Sequence, residues 1–200
     1  AEQLQYLSVA ERNAHRLLRL VGDLLFTAQV ESGKFPLDAR DIELEAIITA
    51  SIETARPAAD NAGIEVLNVL PDGPVMVHGD STRLGQAVDN LVSNALKFTP
   101  RGGKVIVELS TAGSNAVITV RDTGMGIPAE ELDMLFSRFF RATTATRNAV
   151  PGVGLGLTIT KAIITAHGGA MGVSSEEGVG TEFSVTLPLS RVAAEVQPRV

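Results

Sequence analysis

The sequence contains no cysteine, which excludes disulfides and thiolate-ligated metal and fits a reducing compartment. No apolar run approaches the roughly 18 residues that a membrane-spanning helix needs. The three histidines, His15, His78 and His167, stand far apart, and none has metal-ligand spacing with another. Repeats and low-complexity tracts are absent. The first residues, Ala1-Glu-Gln-Leu4, carry neither an initiator Met nor a secretion signal, so the expectation is a soluble piece of a longer protein. Acid is missing locally as well. Across the 42 residues from Met134 through Ser175 there is no Asp or Glu, while Arg138, Arg141, Arg147 and Lys161 all fall there. In a chain of net charge -6, that stretch suits an anion; on pattern alone the alternative is a solvated basic face. The negative sum argues against nucleic acid held by bulk electrostatics.

What is present is an ordinary globular composition, 44% hydrophobic and 20% charged over 200 residues, enough for one or two domains. Leu4, Leu7, Ala10, Ala14, Leu17, Leu18, Val21, Leu24, Leu25 and Ala28 recur at three- and four-residue steps, which predicts a long amphipathic helix over about residues 2–30. Ser32-Gly33 and Pro36 break it and mark a domain boundary. Beyond it the pattern predicts a short strand at Phe35–Asp41 and a helix at Glu43–Asn61 that Pro57 kinks or frays. Strands at Ile64–Leu70 and Pro74–Gly79 flank the turn Pro71-Asp-Gly-Pro74. Asp80 or Ser81 caps a helix to about Phe98, and Val105–Thr111 with Ala116–Asp122 form a hairpin. A short helix follows Pro128, a polar loop spans Ala142–Pro151, and a helix runs to Ala166 and stops at Gly168-Gly169. Ala170–Ser175 and Gly180–Leu187 make a last hairpin, and Pro188 opens a loose tail. Helices interleaved with hairpin-joined strands imply an α/β two-layer sandwich, a mixed β-sheet with helices over one face, preceded by the long amphipathic helix.

Three clusters carry chemistry. Asn90, Asn94 and Lys97 share one side of a helix. A hard cation such as Mg²⁺ keeps several waters and needs few protein oxygens beside a substrate's phosphates, and an amide oxygen with a nearby ammonium meets that need. A polar, solvated helix face is the alternative. Asp122 ends the apolar strand Val117-Ile-Thr-Val120 and faces Gly124-Met-Gly126. A carboxylate there accepts hydrogen bonds, adenine's exocyclic amine is a donor, and the two glycines permit backbone angles closed to other residues. An ordinary Asp-Thr-Gly turn is the alternative. Gly152, Gly154 and Gly156 lead into a helix, and backbone amides at such an N-terminus make an anion site. The spacing is not the Rossmann Gly-x-Gly-x-x-Gly, and no Gly-Lys-Ser/Thr follows as in a P-loop.

Taken together, Gln86-Ala-Val-Asp-Asn-Leu-Val-Ser-Asn94-Ala-Leu-Lys97-Phe98-Thr99, Asp122-Thr-Gly124-Met-Gly126-Ile-Pro128, Phe136-Ser-Arg138-Phe-Phe-Arg141 and Gly152-Val-Gly154-Leu-Gly156-Leu stand in fixed order. They resemble the N, G1, F and G2 boxes of the sensor histidine kinase ATP-binding domain, a superfamily shared with gyrase B, the heat-shock 90 chaperone and mismatch-repair ATPases. The resemblance implies the Bergerat ATP-binding fold, over residues 34–189, with 190–200 a loose tail. It implies ATP and Mg as cofactors, with Asn90, Asn94 and Lys97 catalytic and Asn94 the Mg ligand. It also implies Phe98, Asp122, Gly124, Gly126, Ile127, Gly152, Gly154, Leu155, Gly156 and Thr181 as nucleotide contacts. Arg138–Pro151 corresponds to the ATP lid, from which Arg138 and Arg141 reach phosphates.

Residues 1–33 resemble the second helix of the kinase dimerisation hairpin, downstream of the phosphoacceptor helix. His15 lacks the neighbouring acid, Leu-Arg and Pro of an acceptor motif, so it reads as a surface helix residue. The implied partners are a response regulator receiver domain, the protein's own hairpin and a second copy in a full-length homodimer. The implied setting is a cytoplasmic domain of a parent anchored in the bacterial inner membrane. Two rivals are an ATP-gated clamp, which carries a Glu base where this chain has Asn90, and a non-catalytic nucleotide-binding scaffold.

Overall fold

A computed structural model describes residues 37–148, 150 and 152–190, together with Gly22. The expected helix over residues 2–30, His15, and the tail beyond Ser190 lie outside the described residues. Almost all of the described chain falls in one compact unit, Leu37–Val200.

The order is β1 (Arg40–Glu43), α1 (Leu44–Ala62), β2 (Glu65–Val69), β3 (Met76–Gly79), α2 (Ser81–Phe98), β4 (Lys104–Ala112) and β5 (Asn115–Asp122). A 3-10 turn at Ala129–Met134 follows, then α3 (Thr143–Arg147), α4 (Gly156–Ala166), β6 (Ala170–Glu176) and β7 (Gly180–Pro188). Five strands form one mixed sheet in the order β2-β4-β5-β7-β6, with β2 parallel to β4 and the other pairs antiparallel. β1 and β3 pair antiparallel in a separate two-stranded sheet.

Period-two alternation explains which face is covered. Val105, Val107 and Leu109 of β4, Ala116, Ile118 and Val120 of β5, and Phe183, Val185 and Leu187 of β7 are all buried, and their neighbours along each strand are more exposed. Against that face lie helical stripes. Leu84, Ala87, Val88, Leu91, Val92 and Ala95 of α2 recur at helical steps and are buried. Leu44, Ile48 and Ile52 of α1 and Ile159, Ile163 and Ile164 of α4 complete the layer. The expected two-layer sandwich is the observed one.

Three local expectations need correction. Of the expected strand Phe35–Asp41, Leu37–Ala39 are not strand and β1 begins at Arg40, where it gains β3 as a ladder partner. α1 matches the expected helix to within a residue at each end, with Pro57 inside it; burial of Ser51, Ile52 and Ala59 on both sides of the proline outweighs the lost backbone donor. Ala142–Pro151 is not simply a polar loop, since α3 forms within it. Pro188 opens no loose tail. It closes β7, after which Leu189 bridges to Val77. Ser190 is buried, donates its N–H to the Met76 carbonyl at 2.8 Å and its hydroxyl to Asp41 Oδ1 at 2.8 Å. The small sheet thus captures the end of the large one.

Candidate functional site

Three ends meet at one edge of the helical layer: the C-terminal half of α2, the turn after β5 and the N-terminus of α4. Asp80 caps α2, its Oδ1 accepting the Arg83 N–H at 3.1 Å. At the other end, Thr99 Oγ1 donates to the Ala95 carbonyl at 2.6 Å. Between these caps the buried stripe sets the helix rotation, and Asn90, Asn94 and Phe98 emerge half-buried while Lys97 is exposed. Neither polar atom of the Asn94 amide has a hydrogen-bond partner among the described residues, and Lys97 makes no ion pair among them. Protein crowded around the Lys97 ammonium nevertheless lowers its pKa by desolvation.

Asp122 is the next inward position after Val120, so the strand period carries a carboxylate onto the covered face, where it is 6% exposed. Its Oδ1 accepts the Gly124 N–H at 2.8 Å and the Thr181 N–H at 3.3 Å, the latter from the register partner on β7. Oδ2 has no partner among the described residues. Burial raises the Asp122 pKa above the ordinary carboxylate value, and the two backbone N–H groups oppose that rise.

Thr181 belongs to a small network centred on Ser175, which the sequence reading did not single out. Ser175 Oγ accepts the Ile127 N–H at 2.9 Å and donates to the Gly180 carbonyl at 2.9 Å. Its one hydrogen being used, the 2.8 Å contact to Thr181 Oγ1 requires Thr181 to donate. Thr181 therefore shows only lone pairs outward. No local motif signals Ser175; it enters through cross-strand register.

The glycines serve close approaches. A Cβ on Gly124 would lie 2.5 Å from the Phe98 carbonyl oxygen, which accepts the Met125 N–H at 3.2 Å. Gly126 has φ +65, and a Cβ there would lie 1.9 Å from the Glu176 carbonyl oxygen. Gly154, at φ +78, accepts the Phe139 N–H at 2.9 Å, and Phe139 itself adopts φ 62. Leu155 is buried as the residue before α4, Gly156 is its first residue, and Gly152 is exposed.

The segment around α3 has anchors that its small, polar composition concealed. Ala142, Thr144 and Ala145 are buried, and Ala142 and Ala145 form a second apolar cluster with Leu135, against which Phe98, Ile127, Leu132, Phe140, Leu157 and Val173 pack. Glu131 accepts the Thr143 N–H at 2.8 Å and also its hydroxyl. Thr144 Oγ1 donates to the Gly126 carbonyl at 3.3 Å. Arg141 is exposed and donates to the Val150 carbonyl, while Arg138 is exposed at the start of the segment.

Residues 79–191 match the family described as histidine kinase-, DNA gyrase B-, and HSP90-like ATPase. The chain belongs to the histidine-kinase branch of this family. It is 38% identical to the histidine protein kinase DivJ of Caulobacter vibrioides over 92% of its own length and 31% of that protein's. Full-length ShkA, solved in complex with AMPPNP, superposes with a TM-score of 0.82 at 31% identity, over 95% of this chain and 39% of that one. The mycobacterial sensor histidine kinase MprB gives 0.69 at 35% identity, covering 75% of this chain and 98% of that one. The chain thus spans about a third of the length of the curated kinase it matches. Among the described residues of this kinase ATPase domain, no helix is long and apolar enough to cross a membrane.

Proposed function

We propose that this chain binds Mg·ATP in the cleft between α2, the turn after β5 and the start of α4. It would act as the catalytic domain of a two-component sensor histidine kinase. The observation that carries the reading is Asp122. Its Oδ1 is held by two backbone donors while Oδ2, on a residue 6% exposed, has no partner among the described residues, and a fixed acceptor of that kind matches adenine's exocyclic amine. Thr181, with lone pairs outward, stands beside it as a second acceptor.

The donor set fits the remaining groups. Asn94 offers an amide oxygen with no competing partner among the described residues, the choice of a hard cation that keeps most of its water. Lys97 supplies a positive charge that no ion pair among the described residues neutralises, and the amides opening α4 suit a phosphate. Mg²⁺, when bound, supplies charge neutralisation for the β- and γ-phosphates. Arg138 and Arg141 sit on the segment that flanks these positions. Nearly all the catalytic work of such a site is positioning and charge stabilisation. A water-activating carboxylate base is missing at the Asn90 position, which favours transfer to a histidine over the hydrolytic clamp reading. In this reading the acceptor histidine lies on a dimerisation hairpin, to which residues 1–33 contribute the second helix. The parent is a membrane-anchored homodimer, and the phosphoryl group passes on to a response regulator receiver domain.

The test is calorimetry with Mg·ATP on the wild-type chain and Asn94→Ala. Binding that depends on Mg²⁺ in the wild type and loses that dependence in Asn94→Ala supports the reading. Equal affinity and equal metal dependence in both would remove Asn94 from the site.

A further inference from the structure

We infer that Thr160, which belongs to none of the motifs, is a positioning residue that decides which end of the Asn90 amide faces the cleft. Thr160 is fully buried in α4. Its Oγ1 donates to the Gly156 carbonyl one turn earlier, at 3.1 Å, the usual back-bond of a helical threonine. A hydroxyl has one hydrogen, so toward Asn90 this oxygen can only accept. The 2.8 Å contact between Asn90 and Thr160 Oγ1 must therefore come from the amide nitrogen. The Asn90 carbonyl oxygen is turned the other way and has no partner among the described residues.

Gly156 completes the device. A Cβ at that position would lie 2.4 Å from Asn90 Oδ1 and 2.9 Å from Nδ2, so the absence of a side chain there makes room for the amide as well as for an anion. The relay Asn90 Nδ2 to Thr160 Oγ1 to Gly156 O ties α2 to the first turn of α4. It presents an acceptor to the cleft at a position where the flipped amide would present a donor. A phosphate oxygen, itself an acceptor, is turned away from Asn90 Oδ1. A water held on a cation, or the N–H of an incoming imidazole, is complementary to it.

Two variants separate orientation from packing. Thr160→Val keeps the shape and removes the hydroxyl, whereas Thr160→Ser keeps the hydroxyl. The first arm is the side-chain amide spectrum of the unliganded chain, with the Asn90 signals assigned by their loss in Asn90→Ala. The wild type and Thr160→Ser are expected to show slowed exchange of the Asn90 NH2 protons, and Thr160→Val fast exchange. Fast exchange in the wild type, or identical spectra for Thr160→Val and Thr160→Ser, would overturn the inference.

The second arm rests on the proposed Mg·ATP site. Thr160→Val should weaken Mg·ATP by about 3- to 10-fold, the loss of one neutral hydrogen bond. It should leave adenosine binding at Asp122 unchanged, and Thr160→Ser should match the wild type for both ligands. Parallel loss of adenosine and Mg·ATP would mean general loosening and overturn the positioning role. A wild-type chain that binds no Mg·ATP would instead overturn the proposed function, and the amide spectrum would still decide the Asn90 orientation.

Discussion

At the scale of single residues, Asp122 is the position where burial and chemistry pull against each other. A carboxylate is expensive to bury, and here its cost is offset by two backbone N–H groups on one oxygen, while the other has no partner among the described residues. In Asp122→Asn the amide oxygen must face those donors, which leaves its NH2 against the adenine amine. We expect a loss of about 1.5–3 kcal/mol, or roughly 10- to 150-fold in ATP affinity by calorimetry. The raised pKa of Asp122 adds a pH signature. Protonation of Oδ2 turns the acceptor into a donor, so affinity falls as pH drops through that raised value, at a higher pH than an ordinary Asp would show. Stability moves the other way. A folded pKa above the unfolded one contributes stability below the unfolded pKa, and that contribution is lost as pH rises through the folded pKa. The difference between wild type and Asp122→Asn in affinity and in unfolding free energy, titrated from acid to neutral pH, checks both signs.

At the scale of elements, the site depends on backbones that come closer than side chains allow. Gly126 carries a positive φ and approaches the Glu176 carbonyl within the space of a Cβ. Gly126→Ala should cost about 2–4 kcal/mol from strain and displacement of the β6–β7 turn, or about 5–15 °C in Tm for a domain of this size. Thermal unfolding by calorimetry reads it. The helix α3 is a different case. It is five residues long, too short to persist without tertiary contacts, and Glu131 holds its first residue through Thr143. Glu131→Ala should therefore speed hydrogen exchange over residues 142–148 while barely moving Tm, because the main core is untouched. Unchanged exchange there would mean that Ala142, Thr144 and Ala145 hold the helix by burial alone.

At the scale of the whole molecule, the two described histidines are engaged in contacts of their own. His167 Nδ1 donates to the Ile163 carbonyl at 2.7 Å, and its Nε2 accepts the Asp80 N–H at 2.9 Å. It also caps the far end of the eleven-residue α4, about 16 Å from the glycines at the helix start. His78 pairs with Asp41 at 3.1 Å on the small sheet, and His15 lacks an adjacent carboxylate to take its proton. The chain incubated with radiolabelled Mg·ATP should acquire no acid-labile label. A separate two-helix domain with an acceptor motif should restore transfer weakly, because no tether raises its effective concentration. Label mapped to His15 would overturn the reading of that helix.

The sequence by itself determined the sandwich, the face of α2 that is buried and the positions where Asp122, Gly126 and Gly156 sit. Those are consequences of local period: two along a strand, 3.6 along a helix, and the conformations open only to glycine. The tertiary structure alone decided the rest. β2 joins β4 in parallel and β3 joins β1 in another sheet, although only Leu70–Val75, with the turn Pro71–Pro74, lies between β2 and β3. Strand partners are set by which edges the packed helices leave open. Ser175, Ser190, Glu131 and Thr160 carry no motif, because a polar side chain becomes structural only when another element brings it a partner. Ser175 finds the Ile127 N–H across 48 residues, and Asn90 finds Thr160 across 70. Distances of that kind are closed by the fold as a whole, which no local pattern encodes.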